Sequence, residues 1–394
     1  MRIVSKLLVA ATAAAAITAM AATPALADPP SGVTPAPTDV VGVGSDTIQN
    51  VFDQFSHDFN ATHTTGKLYS WDALNPSNGA EHDLIQVKSG SAGCNIQRPF
   101  GSSEGITALE NTLTTTGSQP CINYARSSRA RSSTDPSTIS FINLGGDAVT
   151  YATQPGGHAP ANLTTAQLQG IYNCTLTNWN QVGGSNAPIA AMLPQNGSGT
   201  RSFFLGAIGL TAPGPCVSTS ATRQGAAGAG DNTLQQNEGV APSLNTNTAN
   251  VIFPFTVAKY LSEHFHSASC GTVSQCFASP NHCTPSAGLN LFGCNIHGTL
   301  LLNPINDNGT VSNPTTPFPP TKQSTINAGF DHTFTYPLSE VVSAPQGTVP
   351  ASLAPLFGPT GFTCTNSTAK ADLKHYGYLV LPAGTAPGDC GSAS

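Results

Sequence analysis

Val40-Val41-Gly42-Val43-Gly44-Ser45-Asp46-Thr47-Ile48 decides the fold. Four residues of short apolar run lead into Gly-Ser-Asp-Thr, and then Ile48, Val51, Phe52, Phe55 and Phe59 recur at helical spacing. The pattern predicts a strand, a tight turn and a helix, with Ser45 or Asp46 as the natural N-cap. The same unit returns at a short apolar segment, residues 189–193, which runs into Gln195-Asn196-Gly197-Ser198-Gly199-Thr200. There Phe203, Phe204 and Ile208 fit a helix ending near Gly209. A third strand end is Ile122-Asn123-Tyr124-Ala125, which enters Arg126-Ser127-Ser128-Arg129-Ala130-Arg131. Between them, residues 163–172 read as an amphipathic helix capped by Thr164 or Thr165. Alternating strand and helix patterns predict an α/β architecture, while residues 211–248 and 303–323, dense in Gly, Pro, Asn and Thr, read as loops.

Such turns carry a specific chemistry. A strand that passes through a Gly-rich turn into a helix aims several backbone N–H groups at one point. The helix dipole adds partial positive charge there, so an anion binds without a cationic side chain. Ser and Thr hydroxyls add donors, and Gly197 and Gly199 let the backbone come close. The candidate ligand-binding residues are therefore Ser45, Asp46, Thr47, Arg126, Ser127, Ser128, Ser198, Gly199, Thr200 and Arg201. Taken singly, Gly-Ser-Gly-Thr is an ordinary capped turn and the Arg126/Arg129/Arg131 group an ordinary solvated face; it is their conjunction that points to a site.

The rest of the chain bounds what the site can be. Arg2 and Lys6, then an alanine-rich apolar stretch to Ala22, then Ala25-Leu26-Ala27, have the form of a cleavable export signal, with Asp28 as the first mature residue and residues 28–38 as a flexible leader. No Cys lies near the cleavage point to carry a lipid, which predicts a secreted or cell-surface protein. Removing 27 residues takes away two of the 14 basic side chains and none of the 20 acidic ones. That acidic balance offers no footprint for nucleic acid. A remaining chain of this length exceeds what one core usually serves, which predicts two domains.

All ten cysteines lie in the mature part, and an even number in an exported chain reads as disulfides. Pairing by order gives 94–121, 174–216 and 364–390, with two more among Cys270, Cys276, Cys283 and Cys294. A zinc site on that last group with His264, His266 and His282 is the alternative, although none of the spacings is a C-x-x-C. No catalytic, metal or cofactor role is assigned. Gly197-Ser198-Gly199 lacks the Gly-x-Ser-x-Gly form of a hydrolase elbow, and no His is marked as a base for Ser45 or Ser198.

At four places the chain resembles the periplasmic phosphate-binding protein family, the solute receptors of phosphate ABC transporters. They are Val41-Gly42-Val43-Gly44-Ser45-Asp46-Thr47-Ile48, Tyr124-Ala125-Arg126-Ser127-Ser128-Arg129, the helix from Leu163 running on to Thr177-Asn178-Trp179-Asn180-Gln181-Val182-Gly183-Gly184, and Gly197-Ser198-Gly199-Thr200-Arg201-Ser202-Phe203-Phe204. The resemblance covers residues 40–260 in order and rough spacing. It implies a two-lobed type II periplasmic-binding-protein-like fold, each lobe a mixed sheet flanked by helices, joined by a hinge. Lobe one is then 39–148 with a return segment 335–394, and lobe two is 149–334, with hinge crossings near 146–150 and 333–338. It also implies phosphate or a related oxyanion as ligand, an ABC permease as partner, and a monomer. Two residues depart from the family pattern. Pro194 stands where the family usually has an Arg, and Ser-Ser-Arg stands where an Asp often follows the second-turn Ser. Either Asp46 accepts the proton of hydrogen phosphate, or the site takes sulfate or a larger anion. A surface or scavenging protein using this fold without transport is the competing reading, and a serine-dependent hydrolase or phosphatase a third.

Overall fold

The computed structural model describes residues 28–30, 32–75, 81–90, 94–112, 119–219, 234, 236, 237, 239, 248–266, 269, 270, 283, 284, 298–307, 309–321 and 323–394. The export signal therefore lies outside the described residues, as do Cys276, Cys294 and His282.

Nine strands form the main sheet: β1 (Val40–Gly44), β2 (Leu68–Ser70), β3 (Tyr124–Ser127), β4 (Ile139–Thr153), β5 (Ala190–Ala191), β6 (Val251–Thr256), β7 (Leu301–Leu302), β8 (Thr335–Ser343) and β9 (Leu379–Val380). The order is β2-β1-β3-β8-β4-β6-β5, with β7 and β9 also paired to β4. β1 runs parallel to β2 and β3, β8 is antiparallel to β3 and β4, and β6 is antiparallel to β4 but parallel to β5. β4 is the backbone of the molecule. Its residues 139–148 pair with β8, and its residues 149–153 pair with β6, so one uninterrupted 15-residue strand belongs to both halves of the sheet.

Among the described residues, six helices of eight residues or more cover this sheet: α1 (Gln49–Thr62), α2 (Ser102–Glu110), α3 (Thr165–Tyr172), α4 (Gly199–Ala207), α5 (Val257–His266) and α6 (Ser367–His375). β1 shows how the sequence sorts the layers, because alternate side chains point to opposite faces. Val41 and Val43 enter a core with Ile106 and Leu109 of α2. Gly42 faces the other way, where the Tyr124 ring crosses it so closely that a Cβ would sit 2.0 Å from a ring carbon. On that face Phe52 of α1 stacks on Tyr124 with centroids 5.2 Å apart, and Phe357 meets the same ring edge-on at 5.0 Å. Under the second half, Leu168 and Tyr172 of α3, Phe204 of α4 and Tyr260 of α5 share one core with β4 and β6.

Several expectations need amending. α1 starts at Gln49, and neither Ser45 nor Asp46 caps it with a side chain; Ile48 holds the cap position without a side-chain bond. Ser45 Oγ instead accepts from the Thr47 amide, 3.2 Å away, so the two form a turn ahead of the helix. By contrast Thr164 caps α3 in a reciprocal capping box with Gln167, and Ser198 caps α4 by accepting from the Arg201 amide at 3.1 Å. The stretch read as loop, 303–323, contains a hairpin of Ile305–Asp307 with Thr310–Ser312, and the strand Thr315–Thr316 paired to Thr325–Ile326. Their short polar residues carry little periodicity. Among the described residues no helix is long and apolar enough to cross a membrane.

Disulfides join Cys94–Cys121, Cys174–Cys216 and Cys364–Cys390, with Cα separations of 5.4, 5.9 and 5.5 Å. Closing loops of this size restricts the unfolded chain by roughly 3–4 kcal/mol each on the chain-entropy account. Two of the four-cysteine group, Cys276 and Cys294, lie outside the described residues. Of the other two, the structure shows only that Cys270 and Cys283 face each other across a short antiparallel pair.

Buried carboxyl groups make stability depend on pH. Burial pushes Asp72 and Asp147 up to about 7 and Asp46 up to about 6, and pushes Glu340 well above the usual range. Each raised carboxyl binds its proton in the folded state while the unfolded chain has already released it. Folding stability therefore falls as pH rises from the ordinary carboxylate range through about 7. His264 and His375, lowered by burial, oppose this only below their ordinary value near 6.5. Four raised carboxyls outweigh two histidines, so the melting temperature is expected to be several degrees higher at mildly acidic pH than at slightly alkaline pH. A calorimetric pH series in buffers of matched ionic strength checks this; a melting temperature that rises with pH over that range would contradict it.

Candidate functional site

The beginnings of α2 and α4 and the turn ahead of α1 converge where the two halves of the sheet meet. β1 ends at Gly44, whose φ of +112° is open to glycine and strained for other residues, and the chain turns through Ser45, Asp46 and Thr47 toward α1. The α2 helix begins at Ser102, and Ser128 follows the end of β3. From the other half, Ser198 caps α4 and Gly199 and Thr200 form its first turn. All of these are buried, including the side chains of Ser45, Ser102, Ser128, Ser198 and Thr200 at 0% exposure and Asp46 at 2%.

Hydrogen bonds close the cluster. Ser45 Oγ donates to Ser128 Oγ at 3.0 Å, Ser102 Oγ lies 3.1 Å from Ser128 Oγ, and the Ser128 amide donates to Ser102 Oγ at 3.1 Å. Gly199 presses directly on this group, since a Cβ there would lie 2.3 Å from Ser128 Oγ and 2.6 Å from Ser102 Oγ. The Ser103 amide donates to Gly197 O at 3.2 Å and Gln195 Nε2 to Phe100 O at 3.2 Å, so both are further bonds across the junction.

Three residues of the site were missed by the sequence reading: Ser102, already placed against Ser128, and Gln236 and Asn237. Gln236 Oε1 accepts from Ser198 Oγ at 2.8 Å and lies 3.5 Å from the Thr200 amide, while its Nε2 donates to Ser45 Oγ at 2.9 Å and to Asp46 Oδ1. Asn237 Nδ2 donates to Thr47 Oγ1 at 3.0 Å, and Asn237 Oδ1 accepts from Thr256 N and Oγ1 at 3.1 and 2.9 Å. Neither Gln236 nor Asn237 stands in a motif; both come from a polar stretch about 190 residues from Ser45, Asp46 and Thr47.

The arginines go elsewhere. Arg126 is wholly buried, and its donors reach Ser45 O (2.9 Å), Ser70 Oγ (2.6 Å), Gly44 O (3.0 Å) and Trp71 O (2.8 Å). It braces the turn from behind instead of facing the cluster. Arg201 donates to Pro194 O at 2.9 Å, and Ser127 Oγ donates to Arg129 O at 2.9 Å. Of the ten candidates, the structure thus brings Ser45, Asp46, Thr47, Ser128, Ser198, Gly199 and Thr200 together, and directs Arg126, Ser127 and Arg201 to backbone carbonyls. Beside the cluster a cleft of about 600 Å³ opens between α2 and α4, lined by Ser103, Arg129, Asp135, Ser202, Phe203 and Thr333. Arg129 there is paired to both oxygens of Asp135 at 2.7 Å.

Chemically the site is a set of neutral donors, two helix N-termini and one carboxylate. Burial pushes Asp46 up to about 6 against the pull of Lys259, Gln236 and Arg126, so it is an acceptor at neutral pH. Asp46 Oδ2 and Thr200 Oγ1 have no hydrogen-bond partner among the described residues. Such orphans are costly unless a ligand meets them. No histidine takes part in the bonds of Ser45 or Ser198, and among the described residues no group of His, Cys, Asp and Glu could hold a metal ion.

Comparison with known proteins agrees with this architecture. A family model described as "PBP superfamily domain" matches residues 29–263. No curated protein matches the chain by sequence. Among solved structures, an ABC-type phosphate transport receptor from Vibrio cholerae is similar at 15% identity and a TM-score of 0.50, covering 86% of this chain and 99% of its own. A Clostridium perfringens protein solved with phosphate bound is similar at 14% identity and a TM-score of 0.50, covering 87% and 99%. At such identities the likeness is one of fold, a mixed α/β sheet arranged in two lobes.

The close approach at Gly199 is expected to be intolerant of any side chain. Gly199→Ala suits a helix first turn intrinsically, so the melting temperature should change by no more than a few degrees. The added methyl should nevertheless hold α4 away from Ser128 and Ser102. Small-angle scattering should then report a larger radius of gyration than for the parent; an unchanged radius would show that the junction yields elsewhere.

Proposed function

The chain belongs to the PBP superfamily, and from that premise we propose that it is an exported binding protein that captures hydrogen phosphate between two lobes. The observation that carries this reading is the polarity of the buried cluster. Hydroxyl and amide donors at the start of α4 face one acceptor, Asp46, which has a free oxygen among the described residues and stays ionised at neutral pH. Hydrogen phosphate offers oxygens to the donors and one proton to Asp46. Sulfate has no proton to give and would set a full negative charge against the carboxylate. The Vibrio cholerae receptor and the phosphate-bound Clostridium perfringens protein support the same choice of ligand.

In this reading, lobe one comprises residues 39–148 and 335–394 and lobe two residues 149–334. The lobes close on the ligand by bending where β4 and β8 cross between them. Ser45, Thr47 and Ser128 supply donors from lobe one, and Ser198, Gly199 and Thr200 from lobe two. Arg126, Ser127 and Arg201 shape the turns that present them. Residues 1–27 direct export, the ligand leaves unchanged, and the acceptor of the cargo is an ABC-type permease.

Isothermal titration with phosphate and then sulfate tests the ligand. Phosphate is expected to bind and sulfate not at neutral pH, and the discrimination should relax below about 6, where Asp46 takes up its own proton. Asp46→Asn should weaken phosphate and narrow its lead over sulfate. Tight sulfate binding by the parent at neutral pH would assign the site to another anion.

Ser198→Ala tests the second lobe. Removing one charge-assisted donor is expected to cost about 1.5–3 kcal/mol of binding, a rise in Kd of roughly tenfold to a hundredfold, together with a fall of a few degrees in melting temperature because Ser198 also caps α4. An unaltered Kd would remove α4 from the site.

A further inference from the structure

Gln236 stands where a ligand of this site would stand. It is 1% exposed, and its carboxamide touches both sides of the junction: Ser45 and Asp46 on one, Ser198 and Thr200 on the other. The orientation matches the polarity of the site. The carbonyl oxygen faces the donors at the start of α4, and the NH2 group faces the Asp46 carboxylate. Asn237 anchors the position through Thr47 and through both donors of Thr256 at the end of β6.

Distances exclude a role beside a bound anion in this arrangement. With Ser45 Oγ 3.0 Å from Ser128 Oγ, Gly199 pressed on Ser128, and Gln236 in direct contact with Ser45 and Ser198, no room for a tetrahedral ion is left between the donors. The fit of the amide is also incomplete. A planar group with two hydrogens and one oxygen leaves Asp46 Oδ2 and Thr200 Oγ1 without partners among the described residues. A tetrahedral oxyanion that keeps one proton has a fourth corner and a third dimension with which to reach them.

We propose that Gln236 is a built-in surrogate ligand, whose carboxamide occupies the oxyanion position, ties the two lobes together in the ligand-free protein, and is displaced when the anion enters. The identity of the competing anion rests on the phosphate reading above; the tie between the lobes does not. Gln236 then sets affinity by competition, because apparent affinity falls by the fraction of molecules in which the position is vacant. It also sets selectivity, since only a ligand that offers both acceptor oxygens and a donor proton improves on what the amide already makes.

Gln236→Ala removes the surrogate, and Gln236→Met keeps the volume of the side chain while deleting its hydrogen bonds, so the pair separates polarity from packing. Small-angle scattering of the anion-free proteins should show a larger radius of gyration in both variants than in the parent. Titration with inorganic phosphate should show Kd about tenfold lower in both. An unchanged radius in both variants would overturn the tie, and a Kd that rises in both would show that Gln236 is a co-ligand. If neither parent nor variant takes phosphate while both variants expand, the surrogate stands and the phosphate reading fails.

Discussion

A single buried guanidinium sets the frame in which everything at the site is arranged. Arg126 sits at the C-terminal ends of three parallel strands and donates to carbonyls or a hydroxyl from each neighbour: Gly44 and Ser45 at the end of β1, Ser70 and Trp71 at the end of β2. Strand ends ordinarily leave such carbonyls to water. Here one cation gathers them, and the Ser45 amide returns a bond to Arg126 O at 3.1 Å. The turn that follows is thereby fixed in direction, so that Ser45 and Asp46 project toward α4 and not back over the sheet. Burying a charge costs heavily unless it is paired and hydrogen-bonded. Asp46, ionised at neutral pH, supplies the opposite sign nearby, and Arg126 also pulls electrostatically on Asp53 and Asp72 against the burial that raises them.

What the sequence could convey follows from the range of the interactions concerned. The unit at residues 40–59 was legible because apolar periodicity and a Gly-rich turn are local signals, and β1 and α1 lie where they were expected. Ser198 as the cap of α4 and Thr164 as the cap of α3 were legible for the same reason. Ser45 and Asp46 misled as caps because their partners are remote: Ser128, 83 residues away, and Gln236, about 190 residues away. Arg126 was read as a ligand-binding candidate, and its spacing could not reveal that its donors turn to backbone carbonyls and to Ser70 Oγ. Gln236, Asn237 and Ser102 carried no local signal at all. Amide and hydroxyl side chains are common throughout this chain, and only the assembled fold distinguishes the few that converge.

The site follows the composition of the whole. With charged residues at only 9% of the chain, the cluster is built from helix N-termini and hydroxyls rather than from cationic side chains. Neutral donors are cheaper to bury than charges, and they are also directional. A field of point charges would favour the most highly charged ion, whereas this constellation asks for a particular pattern of donors and acceptors.

The placement of the cross-links bears on which parts of the molecule can move. Cys94–Cys121 and Cys364–Cys390 each close a segment on the side of β4 that pairs with β8, and Cys174–Cys216 closes one on the side that pairs with β6. None of these three staples spans the junction. Oxidation therefore hardens each half against unfolding and proteolysis while adding no covalent stiffness between them. Durability and compliance are assigned to different bonds: sulfur holds each half, and hydrogen bonds and close packing hold the junction.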